Sequence, residues 1–430
     1  MKKIFSRIVS IISVMVLCLS LGGCWLFAEQ GTAPDYPDSM ASVDTIVFDT
    51  IEMGNREKLD RIDAVAQVER SVVAIKMEYT VSGKNASSSG SGVIVNIENA
   101  PQNCFYIITC HHVIDSMGLI TVYVPDMNCR NFNDADYDER FAFTGVISNQ
   151  KNNNDEIILV GGDKDYDIAV LMLNLNNVSD VSASEIQAAK VAPQDENVYK
   201  VRRGEDVFSV GNPGGDLPMT VSSGIVSYLD REVAIGGVGY MTLMQIDVQI
   251  NPGNSGGGLF NLYGELIGIT SAGNTEMDGL NYAIPYVMSY DTSENMGFIN
   301  TAKQLIATYT AFKGENYGYV EGHWALGVSI AEHKNAITEN VEYVYVASVV
   351  SGSDAEKAGI VAGDIIISVE NNSINSATAL SSVIYSLKKT HTIGDSLGIR
   401  VKTGNLQVNR TLTLSQNIFC DTGYVLPVVA

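Results

Sequence analysis

From Ser71 to about Ile284 the chain is written in short β-type runs broken by turn residues, and this texture limits the fold more than any other feature. Residues 72–79, 92–97, 105–109 and 120–124 are rich in β-branched, aliphatic or aromatic side chains. Ser/Gly (87–91) and Asn/Asp segments (133–138, 152–155) punctuate them. Many short strands with turn signals between them imply an all-β sandwich or a pair of barrels. A rigid β frame of that kind can aim loop side chains at a common point.

Within this region the stretch Asn251-Pro252-Gly253-Asn254-Ser255-Gly256-Gly257-Gly258-Leu259 stands between two apolar runs, 243–250 and 266–270. Glycine admits backbone conformations and close approaches that a Cβ forbids. The N–H groups of Gly253 and Ser255, with that of Asn254 nearby, are therefore candidates to converge on one point as an oxyanion hole. A Gly/Asn turn in a hairpin is the plainer reading of the stretch alone.

Two strand ends upstream decide between these readings. The run Phe105-Tyr106-Ile107-Ile108-Thr109 leads into Cys110-His111-His112, and Asp163-Lys164-Asp165-Tyr166-Asp167 leads into the apolar Ile168-Ala169-Val170-Leu171-Met172-Leu173. The Asp-x-Asp-x-Asp spacing is not an EF-hand loop, since Ile168 and Asn174 stand where glycine and glutamate are needed. The order His112, Asp167, Ser255 is that of chymotrypsin-type triads. Ser255 Oγ needs a neutral imidazole to take its proton. His112 titrates near neutrality and serves as base and then acid, and a buried Asp167 fixes its tautomer.

At this point the chain resembles the HtrA/DegP proteases. Thr109-Cys110-His111-His112-Val113, Asp167-Ile168-Ala169-Val170-Leu171 and Gly253-Asn254-Ser255-Gly256-Gly257 look like that family's three triad motifs. Gly211-Asn212-Pro213-Gly214, Val221-Ser222-Ser223-Gly224-Ile225-Val226-Ser227 and Asn281-Tyr282-Ala283-Ile284-Pro285 match further segments, and the similarity runs from about Val65 to Leu414. The resemblance implies a mainly β protein: a chymotrypsin-like double β-barrel protease domain, two six-stranded barrels with the triad in the cleft between them, followed by a small α+β PDZ domain. It also implies a homotrimer, a switch between inactive and active loop arrangements, and a primary pocket near Gln249, Ile250, Tyr282 and Ala283 that favours small aliphatic residues. Three departures stand out. Gly258 replaces a usual proline, Gln249 replaces a usually small residue, and His111 adjoins the expected base.

After residue 287, apolar spacing at Phe298, Ala302, Leu305, Ile306 and Tyr309 predicts a helix that packs on the barrel. Beyond it, Ala325-Leu326-Gly327-Val328, the turn Ala362-Gly363-Asp364 and an amphipathic run at 377–388 resemble the PDZ domain attached to HtrA proteases. Backbone N–H groups of that first loop would hold a chain-terminal carboxylate while an apolar peptide adds a strand to the sheet edge. The chain's own apolar end, 424–430, is a further candidate occupant, though a packed terminal strand is the simpler reading.

The N-terminus reads as an export signal: Lys2, Lys3 and Arg7, an apolar run 8–21, then Leu21-Gly22-Gly23-Cys24. That ending resembles a bacterial lipobox, with cleavage before Cys24 and lipid on its thiol, so the mature chain would be lipid-anchored outside the cytoplasm. Cys104, Cys110, Cys129 and Cys420 remain; an oxidising compartment permits pairing, three connectivities are open, and their spacing fits no zinc pattern. The formal charge of −22, or −25 without the three basic residues of the leader, argues against nucleic acid as a partner.

The division expected is therefore a signal peptide (1–23), an acidic tether (24–60), a protease domain (61–288), a helical connector (289–321), a PDZ domain (322–416) and a tail (417–430). The function expected is a serine endopeptidase acting on unfolded exported polypeptides, with no metal or organic cofactor. The alternatives are a catalytically silent holdase or scaffold and a narrow-specificity processing protease.

Overall fold

A computed structural model describes residues 42–81, 83–126, 136–148, 153–212, 219–235, 239–273, 280–287, 297–312, 317–335, 337–350 and 352–416. The leader, Cys24, Cys129, Cys420 and the tail 417–430 lie outside the described residues. The chain divides into two compact units, one spanning Asp35–Val233 with Met241–Val320, the other Glu321–Ala430 with Ala234–Tyr240 and Met1–Pro34.

The first unit holds two antiparallel sheets. Strands β1 (Val72–Val81), β2 (Lys84–Val95), β3 (Cys104–Cys110), β4 (Gly118–Tyr123), β5 (Ala142–Ile147), β6 (Ile157–Asp163) and β7 (Ile168–Asn174) are ordered β5-β4-β1-β2-β3-β7-β6. The count is seven where six were expected, and the Asn/Asp-rich segment 148–156 lies between β5 and β6. Acidic side chains from that segment close the gap between the two end strands. Glu156 accepts from the Thr144 amide at 2.7 Å, and Asp155 accepts from the Val146 amide at 2.9 Å.

The second sheet comprises β8 (Lys190–Val191), β9 (Asp206–Gly211), β10 (Thr220–Ile235), β11 (Gly239–Ile246), β12 (Gly258–Asn261), β13 (Glu265–Gly273) and β14 (Asn281–Pro285). Its order is β12-β9-β10-β11-β14-β13, and β12 also pairs with β13, so six strands close on themselves as a barrel. β8 is a two-residue parallel addition at β13. Closure removes the exposed edges that an open sheet would offer.

β7 is buried on both faces, which its unbroken apolar run requires. Its outer face lies under helix α2 (Phe298–Ala311; α1 is Arg61–Val68), whose Phe298, Ala302, Leu305 and Ile306 are buried. The expected connector thus belongs to the protease body as far as Val320.

The expected tether also needs correction at its distal end. Ile46 and Phe48 are buried, Phe48 bridges to Ile97, and the Asp49 amide donates to Asn96 O at 3.0 Å. Arg56 makes a two-pronged ion pair with the buried Glu265 at 2.7 and 3.0 Å, its guanidinium lying over Tyr263. Arginine's planar fork suits such a bidentate, stacked site. Residues 42–60 are therefore part of the folded body.

In the second unit, β15 (Val328–Lys334), β16 (Val341–Val349), β17 (Ile365–Val369), β18 (Asn372–Ser373), β19 (Ser396–Thr403) and β20 (Leu406–Thr413) form one sheet ordered β15-β16-β17-β19-β20. Helices α3 (Asp354–Lys357) and α4 (Ala377–Lys388) complete it around a core that includes Leu326, Val344, Ile366, Leu380 and Leu397. β15 is an edge strand, and Glu332 on it accepts from the first amide of α4, Ala377 N, at 2.8 Å.

Candidate active site

β3 runs apolar and buried to Cys110, and a single 3-10 turn, His111–Val113, then places two histidines at its end. The turn before β7 brings Asp167 to the same place. Asp167 has φ of 52°, a left-handed conformation that aspartate tolerates better than most residues. Four hydrogen bonds hold it there. The His111 amide donates to its carbonyl at 3.0 Å, the His112 amide to Oδ1 at 3.0 Å, and Ser271 Oγ to Oδ2 at 3.0 Å. The fourth joins His112 Nδ1 to the carboxylate, 2.8 Å from Oδ2 and 3.0 Å from Oδ1.

This geometry separates the two histidines. His111 is buried, whereas the ring of His112 meets the carboxylate and keeps about a third of its surface, 36%, in solvent. A proton on Nδ1 facing Asp167 leaves Nε2 as a free acceptor, the tautomer that a general base needs. Burial pulls the His112 pKa down, but the charge and hydrogen bond of Asp167, aided by Asp115, outweigh it and hold the imidazole above its ordinary 6.5. Burial pushes Asp167 up, yet His112 and the hydrogen bonds keep it below the ordinary 3.8. The pair is thus poised with Asp167 ionised.

The loop of Ser255, the candidate nucleophile, precedes β12. Its carbonyls are drawn inward: Gly253 O accepts from Ser91 Oγ at 2.8 Å, Ser255 O from the Ser91 amide at 2.8 Å, and Asn254 O from Thr270 Oγ1 at 2.6 Å. Gly256 N donates to Thr270 O at 2.7 Å. Gly256 has φ of 85°, and a Cβ there would collide with Ser91 O and Thr109 Oγ1, so the glycine after the serine is obligatory. Among the described residues no partner takes the amides of Gly253 and Ser255. The Asn254 amide, expected beside them, instead donates to Asn251 O at 3.0 Å and closes the loop. Asn254 therefore leaves the oxyanion set.

The side chain of Ser255 donates to Ser271 O at 2.8 Å, and no hydrogen bond joins it to His112 among the described residues. Ser91, Ser271 and Cys110 are the site residues that the sequence reading missed. Ser91 is fully buried and also accepts from the Asn212 amide at 2.9 Å, tying β2, the end of β9 and the serine loop together. Cys104 and Cys110 are free and buried, so neither is paired.

The expected pocket residues separate. Gln249 is exposed, Ile250 and Tyr282 each keep 8% of their surface, and Ala283 keeps none. Ala283 sits mid-sheet between Met244 and Thr270. Gly258 does not loosen its loop. It starts β12, paired to Val210 and Ile269, and the Phe260 ring fills the space that a side chain at 258 would need. In the second unit, Leu326 is buried, Ala325 and Val328 are half-buried, and Gly327 O accepts from Val350 N at 2.8 Å.

Residues 90–269 match the family model described as a trypsin-like peptidase domain, and residues 325–414 match the model of a PDZ domain. The serine protease Do-like HtrA of Bacillus subtilis is 31% identical over 336 residues, covering 77% of this chain and 64% of its own length. The chain is similar to serine proteases of the HtrA/DegP type. The periplasmic serine endoprotease DegP of Escherichia coli is 29% identical over 333 residues, 76% of this chain and 57% of that one. The chain thus spans less than two thirds of either HtrA/DegP relative. A solved HtrA-type protease, AlgW with a decapeptide, is 22% identical over 83% of this chain and 98% of its own, with a TM-score of 0.43.

Proposed function

We propose that this protein is a membrane-tethered, extracytoplasmic serine endopeptidase that cleaves unfolded or misfolded exported polypeptides. The observation that carries the reading is the Asp167–His112 pair, aligned through Nδ1 at 2.8 Å beside a serine loop with two amides that take no partner among the described residues. Ser255 Oγ rotates from Ser271 O to His112 Nε2, gives up its proton and attacks the scissile carbonyl. The amides of Gly253 and Ser255 hold the oxyanion, and the imidazolium, steadied by Asp167, then protonates the leaving amine. No step calls for a metal or an organic cofactor.

The PDZ domain binds apolar C-terminal peptides. They extend the sheet at edge strand β15, and their carboxylate meets the amides of Ala325, Leu326 and Gly327, which take no partner among the described residues. Lipid on Cys24 holds the chain at a bacterial membrane and the working form is a homotrimer. Among the described residues no helix is long and apolar enough to cross a membrane.

The test is degradation of a reduced, alkylated protein by the wild type and by Ser255→Ala, with and without an apolar C-terminal peptide. Cleavage by the wild type alone, faster with peptide and absent on the folded form of the same substrate, supports the reading. Suppressed aggregation without cleavage in both proteins would instead identify a holdase.

A further inference from the structure

The spacing of the cysteines suggests no metal site, yet the fold carries one of them into the triad. Cys110 is the last residue of β3, two positions before His112, and its thiol is fully buried. Its Sγ, a ring nitrogen of His112 and a carboxylate oxygen of Asp167 all lie within 4.8 Å of one another, and Nδ1 is the nitrogen that faces the carboxylate, at 2.8 Å. Two of the three donors are buried, while His112 is open to solvent and gives an ion a way in.

We propose that Cys110, His112 and Asp167 form a binding site for a zinc-like divalent cation that switches the protease off; this rests on the reading of His112 and Asp167 as the acid–base pair. Thiolate, imidazole and carboxylate are a donor set that suits zinc. Tetrahedral coordination at ~2.3 Å to sulfur and ~2.0–2.2 Å to nitrogen and oxygen puts such donors about 3.4–3.6 Å apart. The 2.8 Å His112–Asp167 contact must open by roughly half an ångström and the sulfur must close in. The solvent-facing ring of His112 can make the first adjustment, and water completes the fourth position.

The chemistry of inhibition follows from which nitrogen is used. The proton between Nδ1 and Asp167 moves to Nε2 by way of solvent, which frees Nδ1 for the metal, and the Cys110 thiol proton is lost to solvent. The metal-bound imidazole then carries its one proton on Nε2. That nitrogen can no longer accept the proton of Ser255. Substrate binding is untouched, so the loss falls on kcat and on labelling of Ser255.

Cobalt(II) reports the site without reference to activity. The full chain carrying Ser255→Ala is titrated with cobalt chloride, with and without Cys110→Ala added. The expected result is one ion per chain with a thiolate-to-cobalt absorption that vanishes in Cys110→Ala. Competing zinc should bind the Cys110→Ala chain more weakly by at least the ~10–100-fold that even outer-shell partners are worth. His112→Gln, at a solvent-facing ring, is the second variant and must also weaken binding. In parallel, zinc should suppress fluorophosphonate labelling of the wild type reversibly with chelator, and far less so in Cys110→Ala. Absence of the absorption, its survival in Cys110→Ala, or full affinity in His112→Gln would overturn the site. Failure of the metal-free wild type to label, with the cobalt results intact, would instead strike at the protease reading.

Discussion

The two halves of the active site are built to different degrees of readiness. The acid–base half, from the first sheet, is fully assembled: Asp167 is buried, held by four hydrogen bonds and matched to His112 at 2.8 Å. The nucleophile half, from the second barrel, is assembled only in its backbone. The loop carbonyls are pinned by Ser91 and Thr270, but the Ser255 hydroxyl rests on Ser271 O instead of His112. Burying a carboxylate demands complete hydrogen bonding at all times, whereas a hydroxyl can change its partner by a side-chain rotation. The difference teaches where control of such a site resides. On the proposed mechanism the charged pair is structural as well as chemical, and the serine rotamer is the part that must change.

This contrast can be broken from either side. Ser255→Ala removes the nucleophile and should lower kcat by about 10⁶-fold while leaving the His112–Asp167 pair and the thermal midpoint intact, read by single-turnover hydrolysis and calorimetry. Asp167→Asn keeps the shape but not the charge that fixes the tautomer. A loss of about 10⁴-fold in kcat is expected, of the size that this change produces in chymotrypsin-type triads. Should the Asn variant retain most of its activity, the pair would be a structural ion pair and no more.

Ser91→Ala acts on the other half. It frees Gly253 O and strands the buried Asn212 amide, a cost of about 1–3 kcal/mol in stability. The oxyanion amides lose their fixed aim, so kcat should fall by about tenfold to a hundredfold, less than the ~10²–10³ for loss of a donor itself. KM should be unmoved, and Ser91→Thr should restore part of the loss.

The smallest effect is in pH dependence. Only neutral His112 accepts a proton, and Asp167 and Asp115 stabilise its charged form. The kcat/KM profile should therefore rise with pH through a value above 6.5. Asp115→Asn should move that limb to lower pH by less than Asp167→Asn does. A limb that stays fixed in both variants would assign it to some other group.

Much of this site was legible in the sequence because its parts lie at strand ends. The strand Cys104–Cys110 delivers His112, and the run Ile168–Asn174 begins where Asp167 ends. The glycines around Ser255 announced a loop with backbone at close quarters. What could not be read was pairing across the fold. Ser91 meets Gly253 across 162 residues and Ser271 meets Asp167 across 104, and a lone serine in a strand carries no local signal of either bond. Cys110 was hidden the same way, since its place beside Asp167 is set by the pairing of Cys104–Cys110 with Ile168–Asn174. Asn254 misled because sequence shows that an amide exists but not where it points. At the fold level, residues 42–60 looked like a tether on composition, yet Phe48 and Arg56 anchor them through Ile97 and Glu265.

The central claim is that His112 and Asp167 activate Ser255. Intact-mass analysis after exposure to a fluorophosphonate, for the wild type, Ser255→Ala and Asp167→Asn across pH, tests it most directly. The account predicts one adduct on the wild type, none on Ser255→Ala, a strongly slowed reaction in Asp167→Asn, and a rate that climbs through a pKa above 6.5. An unlabelled wild type, even with apolar C-terminal peptide present, or equal labelling of the wild type and Asp167→Asn, would contradict it.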